Sequence, residues 1–330
     1  MNKIIILLFL LVACVLLFLS NKKTVILTEL FSNNVNFKYI NSKDASNVIR
    51  SINTFNKYTI FDKKLRGIKD KEDIHQHYIK KLEDWDDSEK QLLNWLNTTL
   101  IEKTPDDYKF IYKNVKFAKF HNDVESGFPH TNGDTIFVTS KFVSNILPFF
   151  NDNNINKAID IVGSVIVHEC IHIWQRREPE FFNNLYKSWN FAQYNTIYNL
   201  NKIRKKSRYN PDGVEINWIF RCDKEKRDIL PMAVYRDDAV TIGDVNLIGV
   251  YCEKLNGYPI IPPLPKTEYL FNIKDFTTMF GEIGSNNYHP NELSAEIISI
   301  FLIDDMLNKK TKYASLALQK YKTEFHKRNW

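Results

Sequence analysis

The stretch that decides the fold lies near the middle of the chain, at residues 155–177, and reads INKAIDIVGSVIVHECIHIWQRR. Apolar residues recur in it at helical spacing and place Val165, His168 and His172 on one stripe. The apolar run before the first histidine is typical of a buried helix. We therefore predict a long helix over 155–177, which Pro179 ends.

This helix carries the motif His168-Glu169-Cys170-Ile171-His172, an HExxH sequence. Residues four apart lie on the same helix face, so both imidazoles can point at one ion with Glu169 beside it. Zn²⁺ accepts neutral imidazole nitrogens, and two such ligands on one turn form half of a tetrahedral site. Glu169 is then placed to take the proton of a water that the ion activates. The motif predicts a zinc site with Glu169 as general base.

The motif also has a plainer interpretation, in which the two histidines only form hydrogen bonds inside a core. Chance alone would produce an HExxH in roughly one such chain in a hundred, given 8 histidines among 330 residues. Two imidazoles and a carboxylate are also costly to bury unless they are paired or bind a metal. The metal site is therefore the preferred hypothesis.

A catalytic zinc site needs a third protein ligand, and the best candidate is Glu292. It lies in the sequence YHPNELSAE at 288–296, where Pro290 marks the start of a helix. Glu292 and Glu296 are then one turn apart on the same face. One carboxylate can bind the metal while Glu296 accepts a hydrogen bond from a ligand imidazole. The alternative is that Glu292 is a favourable acid in the first turn and Glu296 is solvated.

Two other residues compete for the role of third ligand. Glu178 lies ten residues after His168, at the position where metzincins have their third ligand. Metzincins also need a glycine that turns the chain after the helix, and Gln175 occupies that position here. His289 lies at the predicted N-cap of the later helix and is better placed to face substrate. We expect Tyr288 or His289 to stabilise the developing oxyanion.

The two helix motifs together resemble the gluzincin branch of the zincin metallopeptidases, the branch related to thermolysin. The shared elements are HECIH at 168–172 and NELSAE at 291–296, and the resemblance covers about residues 110–305. It implies an α+β zincin domain that hydrolyses peptide bonds with zinc. It also implies that GFPHTNGDTIFVTSKF at 127–142 contains the edge strand that aligns the substrate.

The resemblance implies a role for each matching residue. Its metal ligands are His168, His172 and Glu292, its general base is Glu169, and its supporting carboxylate is Glu296. The 120 positions that separate His172 from Glu292 are more than is usual in the branch.

The N-terminus carries an apolar run over Ile4–Leu19, IIILLFLLVACVLLFL, between Lys3 and the pair Lys22 and Lys23. As a helix this run spans about 24 Å, somewhat less than the roughly 30 Å of a hydrocarbon core. No small-x-small cleavage site follows it, which favours an uncleaved, single-pass membrane anchor over a removed signal. The balanced lysines leave the side of the membrane open, and cleavage would make the protein secreted.

The remainder predicts an α+β fold class, mostly helical with a small mixed or antiparallel sheet. A membrane segment at 1–20 precedes a helical region at 21–107 and a zincin-like catalytic domain at 108–330. Helices are predicted at 181–208 and from Pro290 to Leu307. Period-two patterns predict strands at KFIYKNVKFAKF (109–120), DTIFVTSKFV (134–143), INWIFRC (216–222), LPMAVYR (230–236) and NLIGVYCEK (246–254).

Composition and charge exclude several classes of protein. A hydrophobic content of 44% and a charged content of 25% are ordinary for a globular chain, not for a disordered or fibrous one. The net charge of +6 and the interspersed acids favour no nucleic-acid partner, and the basic cluster at 201–209 is predicted to be a solvated helix face. Cys222 and Cys252 lie in neighbouring predicted strands and would be able to form a disulfide outside the cytoplasm.

Together these observations predict a membrane-anchored, zinc-dependent metallopeptidase that acts on a peptide or protein substrate. The alternative is a catalytically inactive zincin-fold protein, tethered to a membrane, with a structural or binding role.

Overall fold

The computed structural model describes residues 37–212, 217–223, 227–281, 287–309 and 315–328. Two sheets and the helices around them make this an α+β fold, which confirms the predicted class at that level. The apolar run Ile4–Leu19 lies outside the described residues. Among the residues that are described, no helix is both long and apolar enough to cross a membrane.

The elements are numbered here in chain order. The helices are α1 (Ser42–Arg50), α2 (Ile60–Leu65), α3 (Ile74–Ile79), α4 (Asp87–Lys103), α5 (Ser140–Ser144), α6 (Leu147–Asn151), α7 (Ile155–Ala158), α8 (Ser164–Arg177), α9 (Pro179–Ser188), α10 (Asn201–Arg204), α11 (Lys274–Phe280), α12 (Pro290–Met306) and α13 (Leu316–His326). The strands are β1 (Lys38–Tyr39), β2 (Leu82–Glu83), β3 (Lys116–Phe120), β4 (His130–Asn132), β5 (Thr135–Thr139), β6 (Phe191–Gln193), β7 (Trp218–Cys222), β8 (Arg227–Tyr235), β9 (Val245–Leu255), β10 (Tyr258–Ile260) and β11 (Thr267–Tyr269). A π-helical turn at Ile159–Gly163 joins α7 to α8.

The first sheet is mixed and has the strand order β1-β3-β5-β4, with β2 also paired to β3. Strands β1, β3 and β5 are parallel, whereas β4 pairs antiparallel with β5 at the edge. Alternate side chains of a strand face opposite sides of a sheet. Phe117 and Ile136 therefore pack in the main core, while Phe120 and Phe137 pack in a smaller core on the other side.

The second sheet is antiparallel and has the order β10-β9-β8-β7-β6, with β11 also paired to β9. Its long central strands β8 and β9 align Pro231 with Gly249. A Cβ at Gly249 would lie 2.5 Å from Cδ1 of Ile273, so any side chain there would force Ile273 to move. The glycine thus lets the segment around Ile273 pack directly on β9.

Helix α8 runs through the main core and packs against α12. Its inward face carries Val167, Cys170, Ile171 and Trp174, each at most 1% exposed. Helix α12 is apolar on most sides and is buried along much of its length, as a helix between other elements must be. These two helices carry the HExxH and NELSAE motifs, so the fold brings the two motifs together.

The predicted helix at 155–177 is confirmed as α7, the π-helical turn and α8. The helix predicted from Pro290 to Leu307 is confirmed as α12, and α13 follows it. The strands expected at 216–222, 230–236 and 246–254 are confirmed in β7, β8 and β9. Helix α4, from the predicted helical region, packs in the same core as α8. The predicted helical region at 21–107 and the predicted domain at 108–330 therefore share one hydrophobic core.

Two predicted strands were too long. Residues 106–112 form a 3-10 helix, because Pro105 and the acids after it favour a helical turn, and only β3 remains extended. At the other strand the hydroxyl of Thr139 accepts a hydrogen bond from the Phe142 backbone N–H. Thr139 is therefore a helix N-cap that ends β5 and begins α5.

Two further expectations were wrong. The region 181–208 is helical only to Ser188 and again in α10, with β6 between them. The pairing of Cys222 with Cys252 is excluded by strand order, because β8 lies between β7 and β9. In the described part of the chain, neither Cys170 nor Cys252 forms a disulfide.

Candidate metal centre

The centre forms where α8 faces the first turn of α12. His168 and His172 occupy successive turns of α8, as residues four apart do. Helix α12 begins at Pro290, and its N-cap His289 accepts a hydrogen bond from the Asn291 backbone N–H at 3.3 Å. This start places Glu292 in the first turn, opposite the two histidines.

The polar atoms of three side chains converge at a spacing that suits a metal ion. Nε2 of His168 and Nε2 of His172 are 3.1 Å apart. Glu292 places Oε1 3.4 Å from Nε2 of His172 and Oε2 3.6 Å from Nε2 of His168. Tetrahedral ligands with bonds of about 2.0–2.1 Å are themselves about 3.4 Å apart. Two imidazoles and one carboxylate therefore fit Zn²⁺ in both spacing and chemistry.

Gln175 fixes the orientation of His172. Its Oε1 lies 3.0 Å from Nδ1 of His172, so Nδ1–H donates to it and Nε2 keeps its lone pair for a metal. The Gln175 amide donates in turn to the Asn291 carbonyl at 2.8 Å and to Oγ of Ser294 at 2.9 Å. Tyr186 contacts the same Ser294 hydroxyl at 3.1 Å. The chain of bonds ties the ligand on α8 to the backbone of α12.

Glu296 lies behind His168, with Oε2 3.6 Å from the imidazole Nδ1. Burial lowers the pKa of His168, but the contacts with Glu292 and Glu296 raise that pKa well above its usual value. Without a metal, His168 is therefore held as an imidazolium between two carboxylates. A divalent cation would have to displace that proton, because a metal binds only the neutral imidazole.

Glu292 is ionised at the centre although only 3% of it is exposed. Burial raises the pKa of this carboxyl, but the imidazoles of His172 and His168 bring the pKa down to about 2. Asn210 adds a hydrogen bond from its amide to Oε1 at 2.6 Å. With this bond in place, both carboxylate oxygens of Glu292 still have a lone pair that can face the histidines.

Glu169 stands beside this group and is 5% exposed. Among the described residues its Oε2 has no hydrogen-bond partner. Burial, and next the nearby charge of Asp212, raise the pKa of the Glu169 carboxyl well above its usual value. An orphaned buried carboxylate oxygen is costly, which indicates that a further group belongs beside it.

An open cavity of about 640 Å³ borders the centre. His168, Glu169 and Glu292 line it on one side, and β4 lines it through His130. Arg208 also contributes to the wall, with its guanidinium 5.9 Å from the centre of the Tyr288 ring. The cavity is large enough for several residues of an extended chain.

The remaining predicted site residues lie outside this cavity wall. Tyr288 and His289 are each 4% exposed and precede α12. Burial raises the pKa of Tyr288 and lowers that of His289 to about 3, so both are neutral. Glu178 ends α8, where its Oε2 accepts from Arg328 at 2.9 Å. It belongs to neither group of potential ligands found among the described residues.

Sequence reasoning missed three residues of this centre: Gln175, Asn210 and Asp212. Gln175 had a usable signal, since it lies three residues after His172 on the same helix face. Asn210 and Asp212 had none, because they reach the centre from a turn that is distant in the sequence from both motif helices.

Comparison with known proteins adds no relative: no family model matches this chain, and no curated protein or solved structure is significantly similar to it.

Proposed function

We propose that this chain is a zinc-dependent metallopeptidase of the gluzincin type. The observation that carries the proposal is the convergence of His168, His172 and Glu292 beside a cavity that His168, Glu169 and Glu292 line. Structural zinc sites are closed by four protein ligands, whereas three ligands next to a cavity suit a catalytic site.

Zinc at this centre would polarise a scissile carbonyl and make an attacking water more acidic. His168 and His172 would bind it through Nε2, and the contacts of Glu296 and Gln175 would hold the two rings. Glu169 would accept the proton of the attacking water and pass it to the leaving amine. Its raised pKa favours this role, since a group that first accepts and then donates a proton works best near neutrality.

The substrate would be a peptide that lies in the cavity beside β4. The resemblance placed the edge strand in GFPHTNGDTIFVTSKF, and β4 is an antiparallel edge strand within that sequence. Carboxylates outnumber the basic side chains along the cavity wall. A cationic or neutral peptide therefore suits the cavity better than a strongly acidic one.

The decisive experiment compares Glu169→Gln with the wild type on a peptide library, with zinc measured in both proteins. We expect zinc to stay bound while turnover falls by about 10²–10⁴-fold, the usual contribution of a general base. Turnover that stays above about a tenth of the wild-type value would contradict this role.

A second experiment tests the ligand set by the order of its effects on zinc affinity. Glu292→Ala removes one of three protein bonds and should weaken zinc binding severely. Glu296→Ala should weaken it by about 10–100-fold, as is usual for a group that only orients a ligand. Glu178→Ala is the matched control and should leave zinc affinity unchanged. If Glu178 or His289 substitution removes zinc and Glu292→Ala does not, the gluzincin assignment is wrong.

We also propose that Ile4–Leu19 anchors the protein in a membrane. Membranes washed with carbonate should retain the full-length chain, and a chain that starts at Asn21 should be recovered without membranes. A mature form that begins near residue 21 would show a cleaved signal instead.

A membrane-tethered, catalytically inactive protein is the second candidate function. The bonds from the Thr131 backbone N–H and hydroxyl to Asp212 favour it, because they occupy the strand edge with which a peptide substrate would pair. Stoichiometric zinc without peptide hydrolysis, in a protein that is unaffected by Glu169→Gln, would support this candidate.

A further inference from the structure

The turn that brings Asn210 to the metal centre follows a short stretch of backbone that lies beside β8. There the Arg208 backbone N–H donates to the Ala233 carbonyl at 2.9 Å, as in an antiparallel sheet. The next residue, Tyr209, bonds elsewhere. Because Tyr209 is only 2% exposed, its backbone N–H and carbonyl need partners within the protein.

A buried acid–base pair binds both of these backbone groups. Asp62 lies on α2 and Arg66 is the C-cap of the same helix. Oδ1 of Asp62 accepts the Tyr209 N–H at 3.0 Å, and Nη2 of Arg66 donates to the Tyr209 carbonyl at 2.9 Å. Neither side chain of the pair is more than 2% exposed. Two side chains thus serve as hydrogen-bond partners for the backbone where it turns away from β8.

Further bonds hold this pair, the Asp62–Arg66 clamp, in place. Oδ2 of Asp62 accepts from the Thr59 backbone N–H at 2.9 Å and from the Thr59 hydroxyl at 2.8 Å. Nε of Arg66 donates to both carboxylate oxygens of Glu125, at 2.8 and 3.1 Å. Nη1 of Arg66 donates to Oδ1 of Asp62 at 2.9 Å. The clamp is therefore rigid, and it fixes the position of the Tyr209 backbone.

Asn210 connects the clamp to a proposed metal ligand. Its amide donates to Oε1 of Glu292 at 2.6 Å, and the same oxygen lies 3.4 Å from Nε2 of His172. The carbonyl that Arg66 binds belongs to the planar peptide group that joins Tyr209 to Asn210. A shift of this peptide group would move the Asn210 side chain away from Glu292 and leave the carboxylate free to rotate.

We propose that Asp62 and Arg66 are positioning residues of the metal centre: they hold the Tyr209 backbone so that Asn210 orients the Glu292 carboxylate toward the ion. The inference rests on the proposed zinc site. The alternative is a purely structural clamp, which joins the N-terminal helices to the rest of the fold. A structural clamp would contribute to stability but not to zinc affinity.

The test is a double-mutant cycle on zinc affinity in the full-length protein, measured by competition with a chromophoric chelator. Asn210→Ala should weaken zinc binding by about 10–100-fold, the usual effect of removing a group that orients a ligand. Asp62→Ala should weaken it by roughly tenfold, the lower end of that range, because Asn210 remains but is less well placed. If Asp62 acts through Asn210, the double variant should bind zinc as Asn210→Ala does, without a further loss.

Tyr235→Phe is the matched control. The Tyr235 hydroxyl donates to Oδ1 of Asp62 at 2.8 Å and accepts from Nη1 of Arg66 at 3.2 Å, and neither bond involves Tyr209. This substitution perturbs the same buried pair and should lower the urea midpoint of unfolding. Zinc affinity should nevertheless stay within about twofold of the wild-type value, well below the effect of an orienting group.

Losses of zinc affinity that add fully in the double variant would overturn the proposal, as would an Asp62→Ala protein that binds zinc as the wild type does. Non-additive losses in a protein that hydrolyses no peptide would support the clamp and refute the peptidase. A wild type that binds no zinc would refute both. If Asp62→Ala does not fold, Arg66→Lys replaces it in the cycle with the same expected non-additivity. Lysine keeps the buried positive charge but lacks the planar fork that reaches both Asp62 and Tyr209.

Discussion

Replacement of Gln175 by alanine should weaken zinc binding although Gln175 is not a ligand. The side chain is 6% exposed, and its three contacts are with His172, the Asn291 carbonyl and Ser294. Without the acceptor at Nδ1, the His172 ring can rotate and can take the tautomer with its proton on Nε2. Groups that orient a ligand in this way contribute about 10–100-fold to metal affinity, and we expect a loss in that range.

The same substitution should also lower the stability of the metal-free protein. Each buried hydrogen bond contributes about 1 kcal/mol net, and a buried group left unpaired costs about 1–3 kcal/mol. With three contacts removed, the free energy of unfolding should fall by about 3 kcal/mol. Urea denaturation in the presence of a chelator measures the free energy of unfolding of the metal-free protein. Competition with a chromophoric chelator measures the zinc affinity.

Gln175→Glu separates the two effects. Glutamate keeps an acceptor for Nδ1 of His172 but cannot donate to Asn291 or Ser294. It should therefore lose stability as alanine does, yet keep zinc affinity near that of the wild type. If Gln175→Ala changes zinc affinity by less than about threefold, well below the range for such partners, Gln175 does not orient the ligand.

Three other outcomes follow from the geometry. Burial raises the pKa of the Glu125 carboxyl, but the charge of Arg66 brings that pKa below its usual value. Glu125→Gln leaves the buried Arg66 without this partner and should lower the free energy of unfolding by about 3 kcal/mol at neutral pH. In urea titrations this difference should vanish as the pH falls through that lowered pKa. Gly249→Ala should cost about 1–3 kcal/mol by overpacking in thermal denaturation, whereas Gly243→Ala, with ordinary contacts, should cost little. Below the raised pKa of His168, zinc affinity should fall by about tenfold per pH unit, because the imidazole must lose a proton before it can bind the metal. Zinc titrations at several pH values measure this dependence.

The parts that were predictable from sequence are those with a local signal. HECIH has its spacing fixed by one helix, and Pro290 fixes the start of the helix that carries Glu292. Each motif could therefore be placed on a helix without knowledge of the other. Their convergence is a tertiary fact, since nothing local determines where two helices so distant in the sequence meet. Here the resemblance to gluzincins, rather than periodicity, supplied the pairing.

The errors arose where capping or packing outweighed a pattern. KFIYKNVKFAKF alternates as a strand does, but its first half follows Pro105 and forms a helical turn. Thr139 interrupts an apolar run by acting as a helix N-cap. Threonine is frequent both in strands and at N-caps, so the residue type alone did not reveal this role. Cys222 and Cys252 are adjacent among the predicted strands only if the strand between them is ignored. Asn210 belongs to a turn whose approach to Glu292 depends on the whole fold.

The distance in sequence between the two motif helices has a consequence for how the protein is made. The segment between His172 and Glu292 contains β6 to β11, so the second sheet must be enclosed in the loop that the ligands close. During synthesis the two histidines leave the ribosome long before Glu292, and until then no complete centre exists to bind an ion. Metal acquisition would thus come after the sheet has formed, and a bound ion would act as a late cross-link. Closure of so long a loop in the unfolded chain is entropically costly, so the ion would stabilise most of the domain rather than one helix.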